Sequence, residues 1–187
     1  DEFGILPDII TCAKGLTSGY LPLSATILSE EIYDVISKPQ EEGAMFTHGF
    51  TYSGHPVCCA AGLANIQIME REDINGHVRD VGAYFEQQVH SLADLDIVGD
   101  VRGLKFMMCL ENLADKQSKE LFEPKVKVGN RIADNCQKRG LIVRPVGHMN
   151  VLSPPLTFSK ENVDFLVKNL RESIEETTQQ LKQEGIL

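Results

Sequence analysis

Pro7-Asp8-Ile9-Ile10-Thr11-Cys12-Ala13-Lys14-Gly15-Leu16-Thr17-Ser18-Gly19-Tyr20-Leu21-Pro22 sets a short apolar run against a lysine and a pair of glycines. Ile9 to Ala13 read as a buried strand, because they are compact, largely apolar and preceded by a Pro-Asp turn. A strand this apolar belongs inside a covered, parallel sheet. Ligands of open α/β sheets sit at the carboxyl ends of the strands, which is where Lys14 falls. An amine held there, shielded from bulk water, loses part of its preference for the charged form. A partly neutral lysine is a nucleophile that forms a Schiff base with an aldehyde. Taken alone, a lysine that closes a strand is more often a solvent-facing residue.

Outward from that segment, Leu23 to Leu28 read as a second buried strand. Ser29 then caps a short helix to about Ser37, with Glu30 and Glu31 favourably placed in its first turn. Lys38 to Gly49 is a polar loop. Pro56 opens a helix running to about Glu70, apolar nearly all round and therefore expected to be buried. A further helix, roughly His77 to Leu92, aligns Val78, Val81, Phe85, Val89 and Leu92 on one face. Ile97 to Leu110 give two strand-like runs broken at Arg102-Gly103, and a polar loop follows over Asn112 to Glu123. Val128, Ile132, Ala133 and Cys136 mark a helix that Gly140 stops. Leu141 to Arg144 and Val151 to Leu152 are strands separated by a turn at Gly147. Ser159 caps a last helix whose face is Val163, Leu166, Val167, Leu170, Ile174 and Leu181. This end of the chain reads as a small α+β domain.

Two further side chains stand out by position. Thr51 lies a few residues before the helix that begins at Pro56, and helix N-termini attract anions through unpaired N–H groups and the positive dipole end. A threonine there can ligate a phosphate, or simply satisfy the local turn. Arg144 closes a strand, and a guanidinium grips a carboxylate through two parallel hydrogen bonds. An arginine at a strand end is equally often a plain surface residue. His48 and His55 with Cys58 and Cys59 match no zinc spacing, so no metal is expected. The glycines after Lys14 do not form a nucleotide-type phosphate loop, since the lysine precedes its glycine.

The net charge of −9 argues against a nucleic-acid or anionic-membrane partner. No apolar stretch approaches the ~20 residues needed to span a bilayer. Cys12, Cys58, Cys59, Cys109 and Cys136 form an odd set without framework spacing, which fits reduced thiols of a cytosolic protein. The opening Asp-Glu-Phe-Gly lacks the cationic and apolar regions of a signal peptide.

The segment from Asp8 to Ala25 closely resembles the signature around the cofactor lysine of the class III aminotransferases, which include the omega-aminotransferases. The match is carried by Pro7-Asp8, Ala13-Lys14-Gly15-Leu16, Gly19-Tyr20 and Pro22-Leu23. Thr51-Tyr52-Ser53-Gly54-His55-Pro56 and Ser153-Pro154-Pro155-Leu156 resemble the family as well. The resemblance implies an α/β fold, the C-terminal part of a fold type I pyridoxal-phosphate-dependent transferase. Residues 1–93 are then a remnant of the large cofactor-binding domain with an interdomain helix, and residues 94–187 a small C-terminal α+β domain.

It further implies pyridoxal 5'-phosphate held by Lys14, and Thr51 contributing to the phosphate cup of a neighbouring subunit in a homodimer with a shared active site. Arg144 matches a movable carboxylate anchor for an amino acid or keto acid substrate, here followed directly by Pro145. The family's chains are much longer, with the lysine well past the middle. The acidic residue paired with the ring nitrogen and the aromatic stacked on the ring are thus expected outside this sequence, and the 187-residue piece is expected not to transaminate. A related aminomutase, decarboxylase or racemase, or a non-catalytic protein of the same fold, is the alternative reading.

Overall fold

A computed structural model describes residues 2–43 and 46–187; Asp1, and Ala44 and Met45 of the expected Lys38–Gly49 loop, lie outside the described residues. The chain is a mixed α/β protein that divides into two units, Asp1–Glu72 and Asp73–Leu187.

In the first unit β-branched residues make β1 (Ile9–Cys12) and β2 (Ala25–Leu28). They pair antiparallel, from Ile9 opposite Leu28 to Cys12 opposite Ala25. This corrects the expectation of a buried parallel strand. A 3₁₀ turn over Lys14–Thr17 starts a tight connection that returns the chain directly, whereas a parallel neighbour needs a crossover element. Both strands are also open to solvent: Ile9, Ile10 and Ile27 are 53%, 43% and 55% exposed.

Ser29 precedes α1 (Glu30–Ile36) in extended conformation, but its hydroxyl caps nothing and is buried without a partner among the described residues. The chain then reaches α2 (Pro56–Arg71), which has proline in its first turn as expected. The expected burial of α2 is not found, since only Gly62 is buried along its length. Within this unit the helix is covered on one strip alone, where Gly62 meets the lysine turn. A Cβ on Gly62 would lie 2.6 Å from a Leu23 methyl and 3.7 Å from the Leu16 carbonyl.

The second unit starts with α3 (Ile74–His90), begun by Asp73, whose carboxylate accepts from the Gly76 N–H at 3.1 Å. The sequence placed this helix before the 93/94 division, as a connector; here it packs on the elements that follow it. Those are β3 (Val98–Leu104), β4 (Met107–Asp115), β5 (Glu120–Leu121), α4 (Val128–Lys138), β6 (Arg144–Val146), β7 (Met149–Leu152) and α5 (Lys160–Gln183). The strands form one antiparallel sheet in the order β3-β4-β7-β6, with β5 on the far end of β4.

Alternation along β4 sends Met108, Leu110 and Asn112 inward and leaves Met107, Cys109 and Glu111 on the other face. Phe85, Leu92, Ile97, Ile132, Leu170 and Ile174 fill the core between the sheet and the helices. Each such side chain contributes about 1.5–3 kcal/mol of burial.

Three boundaries differ from expectation. The break between β3 and β4 falls at Lys105-Phe106, and Arg102-Gly103 lie inside β3. Gly103 has φ +142° and a Cβ there would stand 2.0 Å from the Met107 carbonyl oxygen, so the glycine permits close strand approach rather than a turn. The polar loop over Asn112–Glu123 instead carries the end of β4 and β5. Leu141–Val143 lie outside any strand, and the strand starts at Arg144.

Candidate active site

The lysine turn is wound tightly. Lys14 has φ +52°, Ser18 +50° and Gly19 +76°. The left-handed region costs a side-chain-bearing residue about 1–2 kcal/mol, so Lys14 must be held there. Its carbonyl accepts from the Gly19 N–H at 3.1 Å, and the Gly15 carbonyl accepts from the Ser18 N–H at 3.2 Å. Thr17, buried at the centre of the turn, donates its hydroxyl to the Leu21 carbonyl at 2.5 Å.

From α2, Asn65 donates to the Gly15 carbonyl at 2.8 Å and the Leu16 carbonyl at 3.2 Å, and accepts from the Ser18 hydroxyl at 2.7 Å. Composition could not have singled out Asn65. Its only sequence signal is a polar residue three places after Gly62 in the apolar first part of the helix, which puts both on one face.

Lys14 lines a concavity of about 690 Å³, together with Tyr20, Pro22, Phe50, Tyr52 and His55. The expected shielding from water is not found: Lys14 is exposed, and Tyr20 and Tyr52 are 86% and 80% exposed. Among the described residues, the lysine turn, the stretch leading to β2 and the Phe50–Cys58 segment wall this space, which leaves it open. The Nδ1 atom of His55 is buried there without a hydrogen-bond partner among the described residues. Thr51 is exposed in the turn ahead of α2, and it is not one of the lining residues although Phe50 and Tyr52 are. Among the described residues no three His, Cys, Asp or Glu side chains gather to hold a metal ion.

Arg144 belongs to the second unit. It is exposed on β6 and borders a second concavity of about 610 Å³, whose lining is mostly apolar, with Val143, Pro154, Pro155 and Phe158. Strand register puts Arg102, Cys109, Val151 and Arg144 in one row across the outer face of the sheet. The arginines at its two ends differ in charge environment. Arg102 donates to Asp100 at 2.7 Å and to Glu111 at 2.6 Å, while Arg144 has no ion pair among the described residues. His148 completes the first cluster, with Nε2 2.8 Å from the other Glu111 oxygen. Hydrogen bonds from His148 and then Arg102 hold the Glu111 carboxyl below its usual range. The sequence reading missed this cluster. Asp100 and Arg102 two apart on a strand, facing Glu111 on the next, is the alternation that could have found it.

A family model for aminotransferase class-III matches residues 1–174, and the chain belongs to that family. It is 42% identical over 187 residues to an uncharacterized aminotransferase, y4uB, of Sinorhizobium fredii, a match covering 98% of this chain and 40% of that protein. Among solved structures, a transaminase from directed evolution by ancestral reconstruction superposes with a TM-score of 0.91 at 41% identity, covering 96% of this chain and 40% of that one. The PMP-bound form of an aminotransferase from Vibrio fluvialis superposes with a TM-score of 0.88 at 35% identity, covering 95% and 39%. The chain thus spans about two fifths of the length of the relatives it matches.

Proposed function

We propose that this chain is the lysine-bearing part of an enzyme that moves an amino group between an amine or amino acid and a keto acid, with pyridoxal 5'-phosphate as cofactor and Lys14 as its Schiff-base lysine. The observation that carries this reading is the place of Lys14 on the wall of the concavity, within the span matched to the family. The residues there suit the cofactor. Lys14 offers an amine to an aldehyde, Phe50 and Tyr52 give an apolar wall, and His55 Nδ1 is a buried polar atom without a partner among the described residues.

Bound pyridoxal phosphate supplies an electron sink for the substrate carbon. Lys14 is assigned the amine chemistry of this chain. Its Nζ would hold the cofactor and, when free, would carry the proton lost from the substrate carbon. Thr51 is assigned to the phosphate of a partner subunit's cofactor, which makes the active unit a homodimer with shared sites. Arg144 is assigned to the substrate carboxylate, because it is a cation on the sheet face with no ion pair among the described residues. The groups that pair with the ring nitrogen and stack on the ring belong to polypeptide beyond these 187 residues. In that complete enzyme residues 1–93 extend a larger cofactor domain and residues 94–187 form the small one, and the five free cysteines suit the cytosol.

The test is substrate profiling of the full-length protein with pyruvate and a panel of amines. Amine-dependent formation of alanine is expected. Carbon dioxide release or rearrangement without amino transfer would identify a decarboxylase or mutase and contradict the proposal.

A further inference from the structure

We infer that Asn65 is a positioning residue for Lys14, acting through the backbone of the lysine turn; the inference rests on the assignment of Lys14 above. The direction of a side chain is set by the φ and ψ of its own residue, and Lys14 sits at φ +52°. Lysine does not stay in that region unless its neighbouring peptide units are fixed. Three carbonyls decide the matter. The Lys14 carbonyl is held by Gly19 N–H inside the turn. The next two, Gly15 and Leu16, are both held by the Asn65 amide from α2, fifty and forty-nine residues away in sequence.

The clamp is bidentate, and it is itself oriented. The Gly15 and Leu16 carbonyls can only accept, which fixes the nitrogen end of the amide toward them and leaves Oδ1 to accept from the Ser18 hydroxyl. Gly62, one helical turn earlier, lets α2 come close enough for these bonds. Asn65 is only partly buried, so its side chain is not needed to fill a core. What it supplies is hydrogen-bond donors to the two peptide units that follow the lysine. Thr17 anchors the far side of the same turn through Leu21. The lysine is thereby presented by a rigid turn docked on a helix.

The experiment follows incorporation of pyridoxal phosphate into the full-length protein. The Lys14 amine adds to the aldehyde carbon with loss of water, borohydride reduces the resulting carbon–nitrogen double bond, and peptide mass spectrometry counts the adduct on Lys14. Asn65→Asp keeps size and the acceptor for Ser18 but sets a carboxylate against two carbonyls. Asn65→Ala removes the clamp, and Asn65→Gln keeps both donors.

Asn65→Asp and Asn65→Ala are expected to lower the rate of adduct formation at saturating pyridoxal phosphate at least ten-fold. The half-saturating concentration should change less than three-fold, with Asn65→Gln recovering part of the rate. Ser18→Ala, which leaves both donations in place, is expected to lose less than three-fold. Wild-type rates in Asn65→Asp and Asn65→Ala would overturn the inference. So would a loss in Ser18→Ala as large as theirs, since that marks general loosening of the turn. An absent adduct in the wild type would instead overturn the assignment of Lys14 itself.

Discussion

Arg102 and Arg144 end the same row of one sheet, yet among the described residues only Arg102 is neutralised by its neighbours. A guanidinium already bridging two carboxylates has little left for a third, so under the proposed function the carboxylate of a substrate falls to Arg144. Arg144→Ala is expected to raise the KM for a keto acid about ten- to hundred-fold, the range for loss of a charge-assisted pair, while leaving the KM for an amine without a carboxylate nearly unchanged. Steady-state kinetics with the two substrates varied in turn checks this.

Glu111 gives a pH-dependent prediction. Its carboxyl titrates lower in the folded protein than in the unfolded chain, because His148 and Arg102 hydrogen-bond to its charged form. The stabilisation is full above the unfolded value of about 4.3 and is lost as pH falls through the lower folded value. Glu111→Gln should therefore lower the melting temperature near neutral pH, and the gap to wild type should close below about pH 4. A gap that persists at low pH contradicts this. Lys14, Thr51 and Arg144 stood out in the sequence because each was read at the edge of a regular element, although Arg144 opens β6 rather than closing a strand. Asn65, Glu111 and His148 act through partners far away in sequence, and local patterning holds no record of those.

At the scale of elements, legibility followed how locally each element is determined. For α4 and α5 an apolar stripe at helical spacing, a serine cap and a glycine stop all lie within the segment, and their buried faces came out as expected. Ser159 and Asn162 form a reciprocal cap on α5. Ser159→Ala should cost about 1 kcal/mol, measured by denaturant unfolding. The turn at Lys105-Phe106 was illegible because neither residue is a turn former, whereas Gly103 resembles a breaker and is a contact. Gly103→Ala would press a methyl against the Met107 carbonyl from a positive φ, and is expected to destabilise the protein by more than about 2 kcal/mol. Burial of β1 and α2 was misread for another reason. Apolar composition reports what a surface is suited to meet, and within Asp1–Glu72 little meets it.

For the whole molecule that surface has consequences. Leu6, Ile9, Ile27, Val57 and Leu63 are all more than half exposed. The chain spans about two fifths of its relatives, so we expect the isolated 187 residues to show no transaminase turnover, which an assay free of longer enzyme checks. A shared site also predicts complementation. Mixing Lys14→Ala subunits with Thr51→Ala subunits of the complete enzyme should restore about a quarter of wild-type activity, because half of randomly assorted dimers hold one intact site of two. Sites confined to single subunits would show no gain on mixing.

The most direct measurement is reduction of the full-length protein with borohydride in the presence of pyridoxal phosphate, followed by mapping of the modified peptide. The account predicts a single phosphopyridoxyl group on Lys14, absent from Lys14→Ala. A label on another lysine, or one that survives in Lys14→Ala, would contradict it.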